Sequence, residues 1–151
     1  MEDAYEETLD EIKRAEHLYY VSLKYTRTVD VIRSCMERFI NTYENGFKTL
    51  LLYAKKKKKI KEVPESAVLQ IKELKEVTLF EDMKLEKYIE LHARLRKLMR
   101  RPYTKREEFR RHVTMIVEVE DGHEEINIDI IGEYYEKTFE FLKKLKEVVE
   151  N

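Results

Sequence analysis

The spacing of apolar residues predicts two long helices in the first third of the chain. The first stripe repeats at intervals of three, four and seven positions and consists of Tyr5, Leu9, Ile12, Tyr19 and Leu23. Such a repeat gives a helix one apolar face, so we expect a helix from about Asp3 to Tyr25. The second stripe predicts a helix from about Val29 to the lysine run at Lys55, and it consists of Ile32, Met36, Phe39, Tyr43, Phe47, Leu50 and Leu51.

A glycine within the second predicted helix tests this prediction. Gly46 follows Asn45 in the middle of the predicted helix. A glycine inside a helix costs about 1 kcal/mol relative to alanine, which packing can offset. We therefore expect the helix to pass through Gly46, either straight or kinked.

Two further helices are predicted before residue 100. One follows Pro64, and its inward positions are Val68, Ile71, Leu74 and Val77. The other runs from about Glu81 to Met99, and its seam consists of Leu85, Tyr88, His92, Leu95 and Met99. Since His92 falls in line with core residues, we interpret it as a buried or edge histidine with one hydrogen bond and not as a ligand.

Residues 104 to 130 allow two interpretations. Thr104 followed by Glu107 matches a capping box, which predicts a helix from Lys105 whose inward positions are Phe109, Val113, Ile116 and Val117. The next segment, TMIVEVEDGHEEINIDI, alternates around Asp-Gly, the strongest short hairpin signal, although Gly122 can equally end a helix. Helix, loop, helix is favoured because both flanks are strongly helical, and the hairpin stays as the alternative.

The last helix completes the predicted fold. It starts near Glu124 and buries Ile126 or Ile130 together with Tyr134, Phe141, Leu145 and Val148. The elements predict one all-α domain over residues 1–151, an antiparallel bundle of five or six helices, with a small β-hairpin near 114–130 as the open alternative. With 3 Gly, 2 Pro and no Trp, the chain has too few turn residues for a sheet of many strands.

Composition narrows the functional classes. Asp, Glu, Lys and Arg make up 40% of the chain, which is also typical of proteins from hot environments. The single cysteine, Cys35, excludes an internal disulfide, is typical of a reducing compartment, and falls on the apolar side of the second helix. The N-terminus is acidic and lacks signal-peptide features, and no apolar run approaches the roughly 20 residues of a membrane span. We therefore expect a cytoplasmic protein without membrane contact.

The sequence offers no recognisable cofactor or metal site. A glycine-rich phosphate loop and a His-Glu-x-x-His pair are both missing, and the four histidines are far apart. A bundle metal site of the carboxylate type needs a Glu-x-x-His pair on each of two helices, and the chain has one Glu three positions before a histidine, Glu120 before His123 at the Asp-Gly turn signal. We expect neither a cofactor nor a metal.

Charge is distributed unevenly along the chain. Residues 94–111 hold nine Arg or Lys against two Glu, a balance of +7, and residues 117–151 hold eleven Asp or Glu against four Lys, a balance of −7. The asymmetry indicates either a nucleic-acid face or pairing of the basic segment with the acidic one. The candidate nucleic-acid contacts are Lys55, Lys56, Lys57, Lys58, Lys59, Lys61, Arg100, Arg101, Arg110 and Arg111. A helix C-terminus attracts cations, so part of the lysine run has a structural explanation as a solvated loop.

Three segments together resemble the HEPN superfamily of small helical domains. They are AEHLYYVSLKYT in the first helix, FKTLLLYA at the end of the second, and YIELHARLRKLMRRPYTKREEFRRHV before the final helices. The family's active motif is an arginine, four to six residues and a histidine, usually near the start of one of the last two helices. Arg106 and His112 match its spacing, although Glu107 occupies a position where Asn, Asp or His is more typical.

The resemblance implies two kinds of function. Many HEPN members are metal-independent ribonucleases of toxin or defence systems, in which His112 would act as acid or base and Arg106 would stabilise charge on the phosphate. Other members are inactive binding or dimerisation modules. The resemblance also implies a homodimer and a nucleotidyltransferase partner protein.

Geometry affects the choice between these functions. On a straight helix, Arg106 and His112 would lie about 120° apart and about 9 Å apart along the axis, so one compact site would need a bend or a partner copy. We therefore favour a dimeric RNA-binding or protein-binding module over a metal-independent endoribonuclease. An unrelated helical scaffold without catalysis is the third alternative, and the sequence leaves enzyme activity open.

Overall fold

Helices account for most of residues 1–150, which the computed structural model describes. The helices are α1 (Glu2–His17), α2 (Leu23–Tyr25), α3 (Val29–Lys56), α4 (Ala67–Glu76), α5 (Glu86–Arg100) and α6 (Ile128–Glu150). The strands are β1 (Tyr103–Arg106), β2 (Thr114–Val119) and β3 (Gly122–Asn127), and they form one antiparallel sheet in that order. A π-helical turn, Leu18–Ser22, joins α1 to α2, and a 3-10 helix, Thr78–Met83, precedes α5. The mainly helical class is confirmed, but the strictly all-α prediction is wrong for residues 103–127.

The core is built around α3. This helix packs against α1, α4, α5 and α6. The predicted stripe from Ile32 to Leu51 is buried along its length, because apolar residues at helical spacing share one face. None of the helices within residues 1–150 is both long and apolar enough to cross a membrane.

Gly46 allows α6 to approach α3 closely. The helix is continuous at this residue, as predicted. A Cβ atom at position 46 would lie 2.5 Å from Cε2 and 2.8 Å from Cζ of Phe141 on α6. The helical cost of a glycine is therefore offset by the packing of a fully buried phenylalanine ring.

The helix predicted from Lys105 is wrong, and the hairpin alternative is correct. β2 pairs with β3 around a turn at Glu120-Asp121, with Gly122 paired to Val119, and β1 adds to the other side of β2. The inner face of the sheet buries Met115, Val117 and Ile126, which the alternating pattern marks. Pairing with β2 satisfies the backbone hydrogen-bonding groups of residues 103–106. The capping-box pattern at Thr104 and Glu107 is a local helix signal, and this long-range pairing outweighs it.

The boundaries of three other helices also differ from the prediction. α5 begins at Glu86 and not at Glu81, and α6 begins at Ile128, because the residues from Glu124 belong to β3. α4 begins after Ser66, whose hydroxyl accepts a hydrogen bond from the Leu69 N–H. Val68 was predicted to face inward, but it is exposed.

Two residues that were interpreted as core positions are buried. Cys35 has no solvent exposure, and burial raises the pKa of its thiol to about 12. His92 is 2% exposed, and its Nε2 lies 2.8 Å from Oε2 of Glu44. Arg96 donates to the same Glu44 oxygen at 2.6 Å, so one carboxylate joins α3 to α5 through two side chains.

Candidate nucleic-acid site

A cavity of about 380 Å³ lies at the end of the sheet where β1 stops and β2 begins. The N-terminal end of α6 also borders it. Arginine, histidine and acidic side chains share its lining: Arg27, Arg106, Arg111, His112, Glu107, Glu125 and Asp129. Both residues of the predicted catalytic pair therefore line one cavity within a single chain.

Strand register explains why Arg106 lies at this cavity. Arg106 pairs with Thr114 across β1 and β2, and Thr114 pairs with Asn127 across β2 and β3. Directly paired residues point to the same side of a sheet, so these three share the outer face. Arg106 is thus placed by long-range strand pairing and not by a helix, which removes the separation of about 120° that a straight helix would impose on it and His112.

Arg106 is held by an ion pair with Glu125. The two residues lie diagonally across β2 on the outer face, and their side chains are 49% and 43% exposed. Ion pairs with this exposure contribute only about 0 to 1 kcal/mol to stability. The guanidinium is therefore positioned by Glu125 but remains available to an anion that enters the cavity.

Arg27 also lines this cavity, and one of its donors, which is buried, lacks a partner. Its Nε is inaccessible to solvent and has no hydrogen-bond partner within residues 1–150. Leaving a buried N–H unpaired costs about 1 to 3 kcal/mol, and more for a charged group.

The loop of residues 107–113, which we call the β1–β2 loop, is attached to the N-terminus of α3. Oε2 of Glu108 accepts a hydrogen bond from the Val29 N–H at 2.9 Å, and the Phe109 N–H donates to the Arg27 carbonyl at 2.6 Å. Thr28 caps the same helix end, because its hydroxyl accepts a hydrogen bond from the Val31 N–H at 3.3 Å. Glu108 therefore acts as a second cap supplied from another part of the chain.

The ion pairs expected for a helix over this segment are replaced by others. A helix would place Glu108 four positions before His112, within reach of an ion pair, but in the structure Glu108 lies 3.6 Å from Lys105 Nζ and caps α3. Lys105 also donates to Asp30 at 3.3 Å, and that hydrogen bond raises the pKa of Lys105. These contacts fix the start of the loop against α3.

The basic segment of residues 94–111 lies partly beside the acidic hairpin, as one interpretation of the charge pattern expected. Arg94 pairs with Glu124 at 2.5 Å and Lys97 lies 3.7 Å from Glu120. Four candidate contacts have no carboxylate partner within residues 1–150, and they are Arg100, Arg101, Arg110 and Arg111. Arg110 and Arg111 thus leave positive charge uncompensated in the β1–β2 loop beside the cavity, whereas Arg101 donates to the Glu118 carbonyl near the hairpin turn.

The lysine candidates lie at the opposite end. α3 has 28 residues, which corresponds to a length of about 40 Å. The β1–β2 loop contacts its N-terminus, whereas Lys55 to Lys59 and Lys61 lie at and beyond its C-terminus. Lys58 takes a left-handed conformation with φ +59°, and the Lys59 N–H donates to the Ala54 carbonyl at 2.9 Å. This backbone pattern ends the helix, so the structure does not unite the two basic segments in one site.

No family model, curated protein or solved structure matches the chain. The HEPN resemblance therefore remains a prediction. In one respect the chain departs from the family pattern, since Arg106 lies on β1 and His112 in a loop. Within residues 1–150, no group of three or more His, Cys, Asp or Glu side chains is arranged to hold a metal ion.

Arg27 and Glu125 are among the cavity residues that were not recognised from the sequence. Arg27 lies 79 positions before Arg106, and no local pattern connects them. Glu125 could not be placed from the Asp-Gly signal alone, because the chain turns one residue earlier, at Glu120-Asp121, and the resulting register pairs Glu125 with Ile116.

Proposed function

We propose that the protein is a HEPN-like RNA-binding module, with its helices arranged as an antiparallel bundle, that takes an RNA backbone phosphate in the cavity around Arg27, Arg106 and Arg111. The observation that carries this proposal is the convergence of three arginines in one cavity. Guanidinium groups bind phosphate oxygens through paired hydrogen bonds.

Charge around the cavity supports RNA as the ligand. Arg110 and Arg111 lie on the β1–β2 loop, and both are exposed. Arg100 and Arg101 follow from the end of α5, where the Met99 carbonyl accepts a hydrogen bond from Arg33 of α3 at 3.4 Å. Cations around a phosphate pocket extend the contact along a nucleic-acid backbone.

Salt-dependent binding tests the proposal. A labelled RNA should bind in fluorescence anisotropy, with an affinity that falls steeply as salt rises. Arg111→Gln and Arg27→Gln should weaken binding, and Arg111→Gln should lower the slope of log affinity against log salt by about 0.7. Lys56→Gln, at the far end of α3, is the matched control and should leave affinity unchanged. No binding at low salt, or equal loss in Lys56→Gln, would contradict the proposal.

A second candidate function is metal-independent RNA cleavage. The observation that favours it is that Arg106 and His112 line the same cavity. The 2′-hydroxyl oxygen would attack the adjacent phosphorus and pass its proton to a base, while the bond to the 5′-oxygen breaks and that oxygen takes up a proton. The products would be a 2′,3′-cyclic phosphate and a 5′-hydroxyl. His112 would act as the base or the acid, and Arg106 would stabilise the negative charge that develops on the phosphate.

Cleavage in EDTA tests this candidate. Wild-type protein should cut RNA without added metal, and His112→Ala or Arg106→Ala should abolish cutting. His123→Ala, on the exposed hairpin, is the matched control and should retain it. RNA with a 2′-deoxy sugar at the cut position should resist. Cleavage that persists in both site variants would eliminate Arg106 and His112 as the catalytic pair.

We also propose a homodimeric, cytoplasmic protein with a nucleotidyltransferase partner, as the HEPN resemblance implies. Sedimentation equilibrium measures the first part directly, since the dimer has twice the 18.4 kDa mass of the chain. A monomer at all concentrations would eliminate the dimer without affecting the RNA proposal.

A further inference from the structure

Phe109 exposes its ring to solvent at the middle of the β1–β2 loop. It is 76% exposed, whereas Phe39, Phe47, Phe80 and Phe141 are buried. Phenylalanine is among the residue types most often found inside proteins. Packing within the chain therefore does not explain this side chain.

The backbone of Phe109 is also in an unfavourable conformation. Its φ is +67°, and Glu107 in the same loop has φ +54°. A bulky residue with positive φ is a genuine outlier, and it persists only where the surroundings fix it. Here the Phe109 N–H donates to the Arg27 carbonyl at 2.6 Å, and the adjacent Glu108 side chain accepts from Val29 on α3 at 2.9 Å. These hydrogen bonds fix the backbone of the loop, and the Phe109 ring on that loop is exposed to solvent.

The residues around Phe109 indicate the chemistry of what the ring would contact. Glu107 and Arg111, on either side of it in the loop, line the phosphate cavity, as does Arg27, to which its backbone is bonded. Tyr25, two residues before Arg27, is 78% exposed. Tyr25 and Phe109 are the most exposed aromatic residues of the described chain, and both lie on segments that lead into the cavity.

We infer that Phe109 is a stacking platform for an unpaired RNA base, which makes single-stranded RNA the ligand class; this inference rests on the proposed phosphate site. A groove that combines cations for the backbone with aromatic rings for the bases is how proteins bind single strands. Bases inside a duplex are stacked on each other and cannot reach such a ring. An isolated ring among arginines suits a nucleotide better than a protein partner, which would need a wider apolar patch.

A tryptophan at position 109 can report stacking directly, because the chain has 10 Tyr and no Trp. Phe109→Trp should lose fluorescence when single-stranded RNA is added, over the concentration range in which anisotropy shows binding. Leu69→Trp, at an exposed position of α4, is the matched control and should keep its fluorescence. A duplex of the same sequence should leave both signals unchanged.

Affinity provides the second measurement. Phe109→Ala should weaken single-stranded RNA binding by roughly 5- to 150-fold, as expected for the loss of one stacked base, with the salt slope unchanged. Phe109→Leu, which keeps an apolar side chain but no ring, should weaken it nearly as much, and circular dichroism would verify that each variant is folded.

The outcomes separate this inference from the proposed function. Salt-dependent RNA binding that needs Arg111 but is unaffected by Phe109→Ala would overturn the stacking role and leave the phosphate site intact. No RNA binding by the wild type would overturn both. Loss of self-association in Phe109→Ala and Phe109→Leu, without a change in RNA affinity, would assign the ring to a contact between copies and overturn the stacking role.

Discussion

At the scale of single residues, the ion pair between Arg106 and Glu125 would control how freely the cavity accepts a phosphate under the proposed function. Glu125 orients the guanidinium but places a carboxylate where a phosphate would approach. Because both side chains are about half exposed, water already weakens the pair. Glu125 would therefore compete with a phosphate for Arg106, although it also orients the Arg106 side chain.

Removing that competing charge should strengthen RNA binding. Glu125→Gln keeps the size of the side chain, and we expect it to raise RNA affinity by about two- to fivefold, in line with the small free energy of an exposed ion pair. Glu120→Gln, which removes a carboxylate from the same hairpin near Lys97, is the control and should have little effect. Weaker binding in Glu125→Gln would show that orientation of Arg106 matters more than its release.

The conformation of Phe109 leads to a separate prediction about stability. A positive φ costs a non-glycine residue about 1 to 3 kcal/mol, and glycine adopts it freely. Phe109→Gly should therefore leave the free energy of unfolding unchanged or raise it by up to about 1 kcal/mol, while RNA affinity falls. Denaturant unfolding combined with anisotropy would measure both. A large loss of stability would mean that the ring packs against the chain.

At the scale of secondary-structure elements, the β1–β2 loop and α3 stabilise each other. The N-terminus of a helix presents N–H groups without partners, and Glu108 satisfies one of them from the loop. The helix end in turn fixes the loop that presents Phe109, Arg110 and Arg111. Order in the loop is therefore coupled to the longest helix of the core.

Loss of this cap should be measurable. Glu108→Ala should lower the free energy of unfolding by about 0.5 to 2 kcal/mol, the usual cost of removing a helix cap. Glu107→Ala, one position earlier and exposed, is the matched control and should change stability much less. Thermal unfolding of the two variants would decide, and equal stabilities would contradict a capping role for Glu108.

The helices were largely predictable because their signal is local. A repeat of three and four positions identified α3 through Gly46 and the seam of α5, including the buried His92. The sheet was harder, because β1 carries only four residues and is defined by pairing with β2. A short-range capping pattern at Thr104 competed with that long-range pairing, and tertiary contacts overrode it.

The candidate site was predictable only in part. Arg106 and His112 were found from their spacing, although the predicted helix would have separated them. Arg27 joins them because the chain entering α3 lies beside the β1–β2 loop, a contact between segments 79 positions apart in sequence. Contacts between residues so far apart in the sequence depend on the folded structure, and no pattern in a single sequence predicts them.

At the scale of the whole molecule, two carboxylates link elements that are far apart in the sequence. Glu44 joins α3 to α5, and Glu140 on α6 accepts hydrogen bonds from Lys87 and Tyr88 of α5. Those bonds lower the pKa of Glu140 to about 2. Burial raises the pKa of Glu44, but hydrogen bonds from His92 and Arg96 outweigh that effect and leave it lowered.

The sign of these shifts predicts acid sensitivity. A carboxyl group with a lower pKa in the folded than in the unfolded state stabilises the protein above its unfolded pKa, about 4.3 for Glu. Stability should therefore fall as pH drops from about 4.5 towards 2. Glu140→Gln and Glu44→Gln should each flatten this pH dependence in denaturant unfolding, and Glu90→Gln, an exposed control on α5, should not. Unchanged curves in all three variants would contradict the assignment.

The three-stranded sheet has a further consequence for the behaviour of concentrated protein. β1 and β3 are both edge strands, and edges can pair with strands of another copy. β1 carries Lys105 and Arg106, and β3 carries Glu124 and Glu125, so a β1 edge would attract the β3 edge of the next copy. Such head-to-tail pairing has no natural end and produces filaments. Within each chain, Arg106 and Arg94 form ion pairs with these two glutamates. These pairs neutralise part of the charge on both edges, which helps to keep separate copies from polymerising through their sheets.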